Sequence, residues 1–332
     1  MKKKKNVLLL LESSTAYGRK IAQGVSQYVR EHEHWVLDIE DRGLFSLPAP
    51  LIRGWTGDGI ISRTSDGMIR TALNQCKCPI VELLSINEEL PIEVLPDDRK
   101  TMELCIEHFQ ERGITSIGFY AFGYNWWIER RHNLFLEIAD KSKLDAHCLV
   151  DTQSSKAEVQ PEWSDQYERM LKQWIKKLPP QTGIVTAYDP QAIRVLNICN
   201  KLGIHVPEQI AVLGIDNDEH LCNMTTPTLS SLDRNAECVG YKAAELLDRK
   251  MNRKKLPRRP IVVPPKGVVV RRSTEVMALD DPDISEALRY IADYATQGIG
   301  LSEVAEHVGL SRSTLCRRFQ CLLKRSPKDE IM

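Results

Sequence analysis

The strongest constraint on this chain is a repeated alternation between short apolar runs and stretches with helical spacing. Residues 7–11 form an apolar run of strand length. Ile21, Val25, Tyr28 and Val29 follow at i, i+4, i+7 and i+8, and residues 35–39 turn strand-like again. The pattern continues with strands at 59–61 and 79–83, helices around 69–73 and 102–109, and a strand at 117–120. It then begins afresh, with helices near 130–139, 167–178 and 191–202 and strands near 146–150, 183–187 and 210–215. Strands alternating with helices imply parallel sheets covered on both faces, and the restart after Tyr120 implies two α/β lobes.

A polar stretch occupies residues 151–165. A short strand at 229–232, a helix at 238–250 and a strand at 261–263 close the α/β part, after which prolines and the Arg271-Arg272 doublet break regularity. The expected organisation is a two-lobed domain over 1–268, with lobe 1 at about 1–112 and 236–268 and lobe 2 at about 113–235. A linker over 269–282 and a small all-α module over 283–332 follow.

Charge narrows the partners. Lys plus Arg and Asp plus Glu both number 45, so no field over the whole protein draws it to nucleic acid or membrane, and any such contact must be local. The nine cysteines lack paired CxxC spacing, which reads as free thiols in a reducing cytoplasm and gives no metal site. Four lysines and a five-residue apolar run at the start fall short of the roughly 7–15 apolar residues of a secretion signal. The expected location is the cytoplasm, away from the membrane.

The local exception to neutrality lies near the end. Leu301, Val304, Ala305 and Val308 make one apolar face, Gly309 stands where a helix ends in a left-handed residue, and Ser311 suits the N-cap of the next helix. In that helix Leu315, Phe319, Leu322 and Leu323 are expected inward, and Arg312, Ser313, Cys316, Arg317 and Gln320 outward. Residues 311–328 contain six basic residues and no acidic one. Two short helices joined by a Gly-containing turn make a helix-turn-helix with its second helix shaped for the major groove. Arg312, Ser313, Arg317 and Gln320 would face base edges, and Arg318, Lys324 and Arg325 would meet phosphate.

The segment LSEVAEHVGLSRSTLCRRFQCLLKRSP resembles the first helix-turn-helix of AraC/XylS-type bacterial regulators. Upstream, VLGIDNDEHLCNMTTPTLSSLDRNAECVGYKAAELL resembles the closing region of the sugar-binding domain of LacI-type regulators and periplasmic sugar-binding proteins. TAYGRKIAQGV, LPPQTGIVTAYD and VVPPKGVVVRRST extend the likeness over essentially the whole chain, in the order seen in xylose operon regulators. The resemblance implies a type I periplasmic-binding-protein-like domain with three crossing segments and a pentose, D-xylose first, in the cleft. It also implies operator DNA as a partner, a homodimer, and RNA polymerase for an activator. Members of that type carry a second helix-turn-helix after a long helix, and the sequence reaches Met332 where that helix would start. The alternative is therefore a sugar-binding chain that does not hold DNA.

A sugar site needs carboxylates, amides or Arg around the hydroxyl rim and aromatics against the ring faces, supplied by loops at the carboxyl ends of strands. By resemblance, Tyr17 is the stacking aromatic and Arg131 the sugar-contacting Arg, preferred to Arg130. Asp189 and Asp216 are the hydroxyl acceptors, one after each of two neighbouring strands. Capping explains Asp98, and Trp126-Trp127 forms an aromatic doublet that either shields the cleft or packs on the lobe surface. No phosphate loop, dinucleotide loop, GxSxG or HExxH motif is present, so neither an enzyme nor a cofactor is expected.

Overall fold

The computed structural model describes residues 4–32, 34–42, 52–64, 67–84, 93–123, 126–151, 165–275, 281–294, 298–323 and 325–331. Most of the polar stretch at 151–165 and residue Lys324 lie outside these. The chain divides into two compact units, Met1–Glu275 and Val276–Met332.

In the first unit, β1 (Lys5–Glu12), β2 (Trp35–Arg42), β3 (Gly59–Ser62) and β4 (Ile80–Glu82) form a parallel sheet of order β2-β1-β3-β4. β1 reads as an unbroken apolar run because both its faces are covered. Val7, Leu9 and Leu11 pack under α1 (Ala16–His32) and a later helix, Ala236–Met251. Leu8 and Leu10 pack on the other face with Ile60 and with Ile69 and Leu73 of α2 (Gly67–Asn74). The two helices on the first face touch backbone to backbone: a Cβ on Gly240 would lie 2.0 Å from the Ile21 carbonyl oxygen.

The second sheet contains β6 (Ser116–Phe122), β7 (Asp145–Asp151), β8 (Thr182–Thr186), β9 (Ile210–Ile215), β10 (Ser230–Asp233) and β12 (Gly267–Val269), in the order β12-β10-β9-β8-β6-β7. Only β12 runs antiparallel. A separate pair, β5 (Val94–Pro96) and β11 (Ile261–Val263), runs in parallel and buries Val94 and Val263 in the core under α1. The chain crosses three times, after β5, between β10 and α8 (Ala236–Met251), and between β11 and β12.

Two expected boundaries move. Helix α3 (Asp98–Gln110), assigned by sequence to lobe 1, packs on the second sheet: Phe109 lies so close to Gly183 of β8 that a Cβ there would be 2.7 Å from its ring. The first crossing is therefore at residues 97–98 and not near 112. The expected linker began at residue 269, but β12 pairs with β10, and the 3-10 turn Arg272–Thr274 buries Ser273 and Thr274 against the second lobe. The sequence missed this because the segment is Arg-rich and its apolar strand is three residues long.

The second lobe is completed by α4 (Trp126–Lys141), α5 (Asp165–Ile175), α6 (Asp189–Leu202) and α7 (Glu219–Met224). The second unit contains α9 (Pro282–Tyr294), α10 (Leu301–His307), α11 (Arg312–Leu323) and α12 (Pro327–Ile331) around a core of Ile284, Ala287, Ile291, Val304, Ala305, Leu315 and Phe319. Gly309 takes the left-handed conformation, φ 67°, and the Thr314 N–H donates to Ser311 Oγ as an N-cap. Leu322, expected inward, is 40% exposed, because the helices of this small unit cover only the Leu315/Phe319 stripe of α11. Among the described residues no helix is long and apolar enough to cross a membrane.

Candidate functional site

Parallel strands deliver their carboxyl ends to one side of each sheet, and the crossings bring the two sets of ends together. Lobe 1 contributes Glu12 at the end of β1, Tyr17 in the first turn of α1 and Arg63 just after β3. Lobe 2 contributes Asp98 at the start of α3, Arg131 on α4, Asp189 at the start of α6 and Asp216 after β9. Arg234 comes from the crossing between β10 and α8.

The centre is a charged cluster withdrawn from solvent. Arg234 is 6% exposed; its Nε–H donates to Asp216 Oδ1 at 2.6 Å and its guanidinium carbon lies 3.9 Å from the centroid of the Tyr17 ring. Arg63 approaches that ring at 5.0 Å and pairs with Glu12. Arg131, 1% exposed, donates to the Ala187 carbonyl and to Asp98 Oδ1 (3.4 Å) and sits 4.8 Å from the ring of Trp127. Asp98 also receives Arg130 at 3.4 Å and Arg234 at 3.9 Å. An aromatic ring and both signs of charge thus converge on one small volume.

The electrostatics follow from burial. Burial pushes the Tyr17 hydroxyl up to about 12 and pulls Arg63 down to about 9. Arg131 is lowered by burial and by the neighbouring Arg234. For Arg234 burial works against the charge, but Asp216, Tyr17 and Asp98 outweigh it and the pKa rises.

Of the residues expected from sequence, Tyr17, Arg131 and Asp216 meet in this cluster. Asp189 is adjacent but fully committed to protein: Ser231 Oγ donates to its Oδ1 and the Asp218 N–H to its Oδ2 at 2.7 Å. Its carboxylate shapes the loop that presents Asp216. That loop is held in the left-handed region, with φ 103° at Asp216 and 48° at Asn217, and Lys20 of lobe 1 donates to both of their carbonyls at 3.1 and 2.7 Å. Asp98 is not the cap of α3; Asp97 accepts from the Lys100 N–H in that role, which frees Asp98 for the cluster. Trp126 donates to the Leu84 carbonyl across the lobes, and Trp127 meets Tyr188 edge-on. Sequence reasoning missed Glu12, Arg63 and Arg234. The available signal was a charged residue within two positions of the end of each of three strand-length runs.

In the second unit Arg312, Ser313, Arg317 and Gln320 are exposed on α11, with Cys316 half-buried. Arg318 differs from expectation: it is gripped by both oxygens of Asp281 and by Asp283 (2.8 Å), so it braces the start of α9 and does not stand free for phosphate. Arg325 pairs with Glu330 at 2.8 Å. The Asp281 and Asp283 partners lie over thirty residues upstream, out of reach of a reading by helix face.

The profile of the periplasmic binding protein-like domain matches residues 106–274, and that of the XylR N-terminal domain matches residues 6–89. A periplasmic binding protein/LacI transcriptional regulator from Alkaliphilus metalliredigens QYMF, complexed with D-xylulofuranose, shares the fold at TM-score 0.63 and 16% identity, over 82% of this chain and all of that one. The structure of xylose-binding transcription activator xylR superposes at TM-score 0.76 and 31% identity, over 99% of this chain and 85% of the other. Fold and cleft define a two-lobed sensor of the periplasmic-binding-protein-like class. The xylose operon regulatory protein of Escherichia coli (strain K12) is 33% identical over 328 residues, covering 96% of this chain and 82% of its own. That of Haemophilus influenzae is 29% identical over 324 residues, covering 95% and 82%. The chain belongs to the xylose operon regulatory protein family.

Burial, and after it Asp216, raises the Asp189 carboxyl from 3.8 to about 7. A raised acid stabilises the fold in full below its unfolded pKa, and that contribution is lost as pH rises through the folded value. The urea midpoint should therefore fall between about pH 4 and pH 7 and level off above, and Asp189→Asn should flatten that fall. Equal slopes in both proteins would contradict the assignment.

Proposed function

We propose that this chain is a transcription regulator that senses a pentose, D-xylose first, by binding it between the two lobes. The observation that carries this reading is the Tyr17, Arg131, Asp216 and Arg234 cluster, which offers an aromatic face, two forked donors and an acceptor at one point. The acids Glu12, Asp98 and Asp216 offset the guanidiniums of Arg63, Arg131 and Arg234, which suits a neutral polyhydroxylated ring better than a phosphorylated one. Sugar contacting both lobes shifts the population toward closure by its greater affinity for the closed form. The regulators this chain resembles favour a binding protein over an enzyme.

The second unit is proposed to bind operator DNA as the AraC-type part, with Arg312, Ser313, Arg317 and Gln320 of α11 toward the bases. Arg325 and Lys324 fall at the end of the same basic run. A homodimer in the cytoplasm, and RNA polymerase contact if the protein activates, complete the proposal.

Thermal unfolding with D-xylose, L-arabinose, D-ribose and D-glucose tests the sensor. A ligand bound only to the folded state stabilises by about 2.7 kcal/mol at a hundredfold excess over Kd. One pentose should raise Tm and Asp216→Ala should abolish the rise; flat curves for all four would remove the pentose reading. For DNA, Arg317→Ala should weaken binding to duplex DNA containing the regulated promoter by about 1–3 kcal/mol if it reads a base. Unchanged affinity would exclude Arg317 from the interface.

A further inference from the structure

We propose that Arg271 is a positioning residue that links the Asp216-Asn217 loop to the segment by which the chain leaves the sensor for the DNA-binding unit. The inference rests on the reading of Asp216 as a sugar contact and adds to it the route by which occupancy is reported.

Arg271 touches both ends of that route. Its Nη2 donates to Asn217 Oδ1 at 2.9 Å, one residue beyond Asp216, and its Nη1 donates to the Leu229 carbonyl at 2.9 Å. Its backbone is clamped on Ser230: the Arg271 N–H donates to Ser230 Oγ at 2.7 Å, and that hydroxyl donates to the Arg271 carbonyl at 2.7 Å. Ser273 and Thr274, which follow, are tied to the same lobe. Ser273 Oγ donates to the Val212 carbonyl at 2.6 Å and accepts from the Ser230 N–H at 2.8 Å. Thr274 Oγ1 donates to Ser230 Oγ at 2.7 Å and pairs with His108 Nε2 at 2.8 Å, while Arg112 Nε donates to the Thr274 carbonyl at 2.9 Å. Burial of His108 pulls its imidazole down to about 4, so at neutral pH it is uncharged and fits this run of hydroxyls.

The Asn217 end carries backbone strain. Asn217 adopts φ 48° beside Asp216 at φ 103°, and its N–H is held by Ser231 Oγ, which in turn donates to Asp189. Such strain persists only where surrounding bonds over-determine it. A ligand that pulls on the Asp216 carboxylate acts on the same two-residue turn that fixes the Asn217 side chain, and so on Arg271. From Glu275 only residues 276–280 separate this anchored end from Asp281, the residue that grips Arg318 of α11. Both bonded ends of the junction are thus on elements with an assigned task.

Amide hydrogen exchange of the full chain, with and without saturating D-xylose, tests the link together with calorimetric D-xylose binding. In the wild type D-xylose should slow exchange at 214–218 and also at 270–275. Arg271→Met should keep D-xylose affinity within about tenfold and protection at 214–218, and should lose the sugar-dependent protection at 270–275. Arg271→Lys, which retains a donor without the fork, should fall between. Asn217→Ala removes the acceptor from the other side and should also lose the 270–275 response, which covers the case of an Arg271→Met chain that does not fold. Protection at 270–275 that survives in these variants would overturn the proposal, as would wild-type protection at 214–218 with none at 270–275. No heat and no protection anywhere in the wild type would instead remove the sugar reading, and the proposal with it.

Discussion

The contact between Arg234 and Asp216, laid over the ring of Tyr17, is the interaction on which the first unit depends. A charge moved out of water costs several kcal/mol unless a well-placed opposite charge and further hydrogen bonds meet it. Here the guanidinium comes from the crossing into α8, the carboxylate from the end of β9 in lobe 2, and the ring from the first helix of lobe 1. No single lobe can satisfy the three groups. Bringing the lobes together is therefore what makes burial of the charges tolerable, and the lobe arrangement and the cluster stabilise one another. Lys20 and Arg19 of α1 repeat the theme at the rim, reaching the carbonyls of Asp216 and Asn217 and the carboxylate of Asp218.

That dependence gives the cleft a sensing character. Asp216 is held in a left-handed backbone conformation that non-glycine residues rarely adopt, by a loop fastened through Asp189, Ser231 and Lys20. A hydroxylated ring that displaces a guanidinium from the Tyr17 ring would take over hydrogen bonds from groups already desolvated and aimed.

Much of this was legible in sequence because strand burial and crossover geometry leave plain marks. The apolar run at 7–11 is doubly covered, and the acids after β8 and β9 stand at strand ends as expected. What was not legible depended on tertiary choice. Asp98 read as a cap until Asp97 took that role. Residues 98–112 looked like the end of lobe 1 because nothing local shows that Phe109 will seat on Gly183. Arg234 and Arg63 looked like ordinary polar residues after strands. Arg318 belonged by helix phase to the basic face of α11, and its capture by Asp281 and Asp283 joins segments more than thirty residues apart.

The most direct measurement is calorimetric titration of D-xylose into the wild-type chain and into Arg234→Ala. Removing a charged hydrogen-bond donor from a buried site costs about 1.5–3 kcal/mol, so the expected result is saturable one-to-one binding to the wild type, weakened at least about tenfold in the variant. Wild-type affinity retained in Arg234→Ala, or no binding to the wild type, would contradict a sugar site built on this pair.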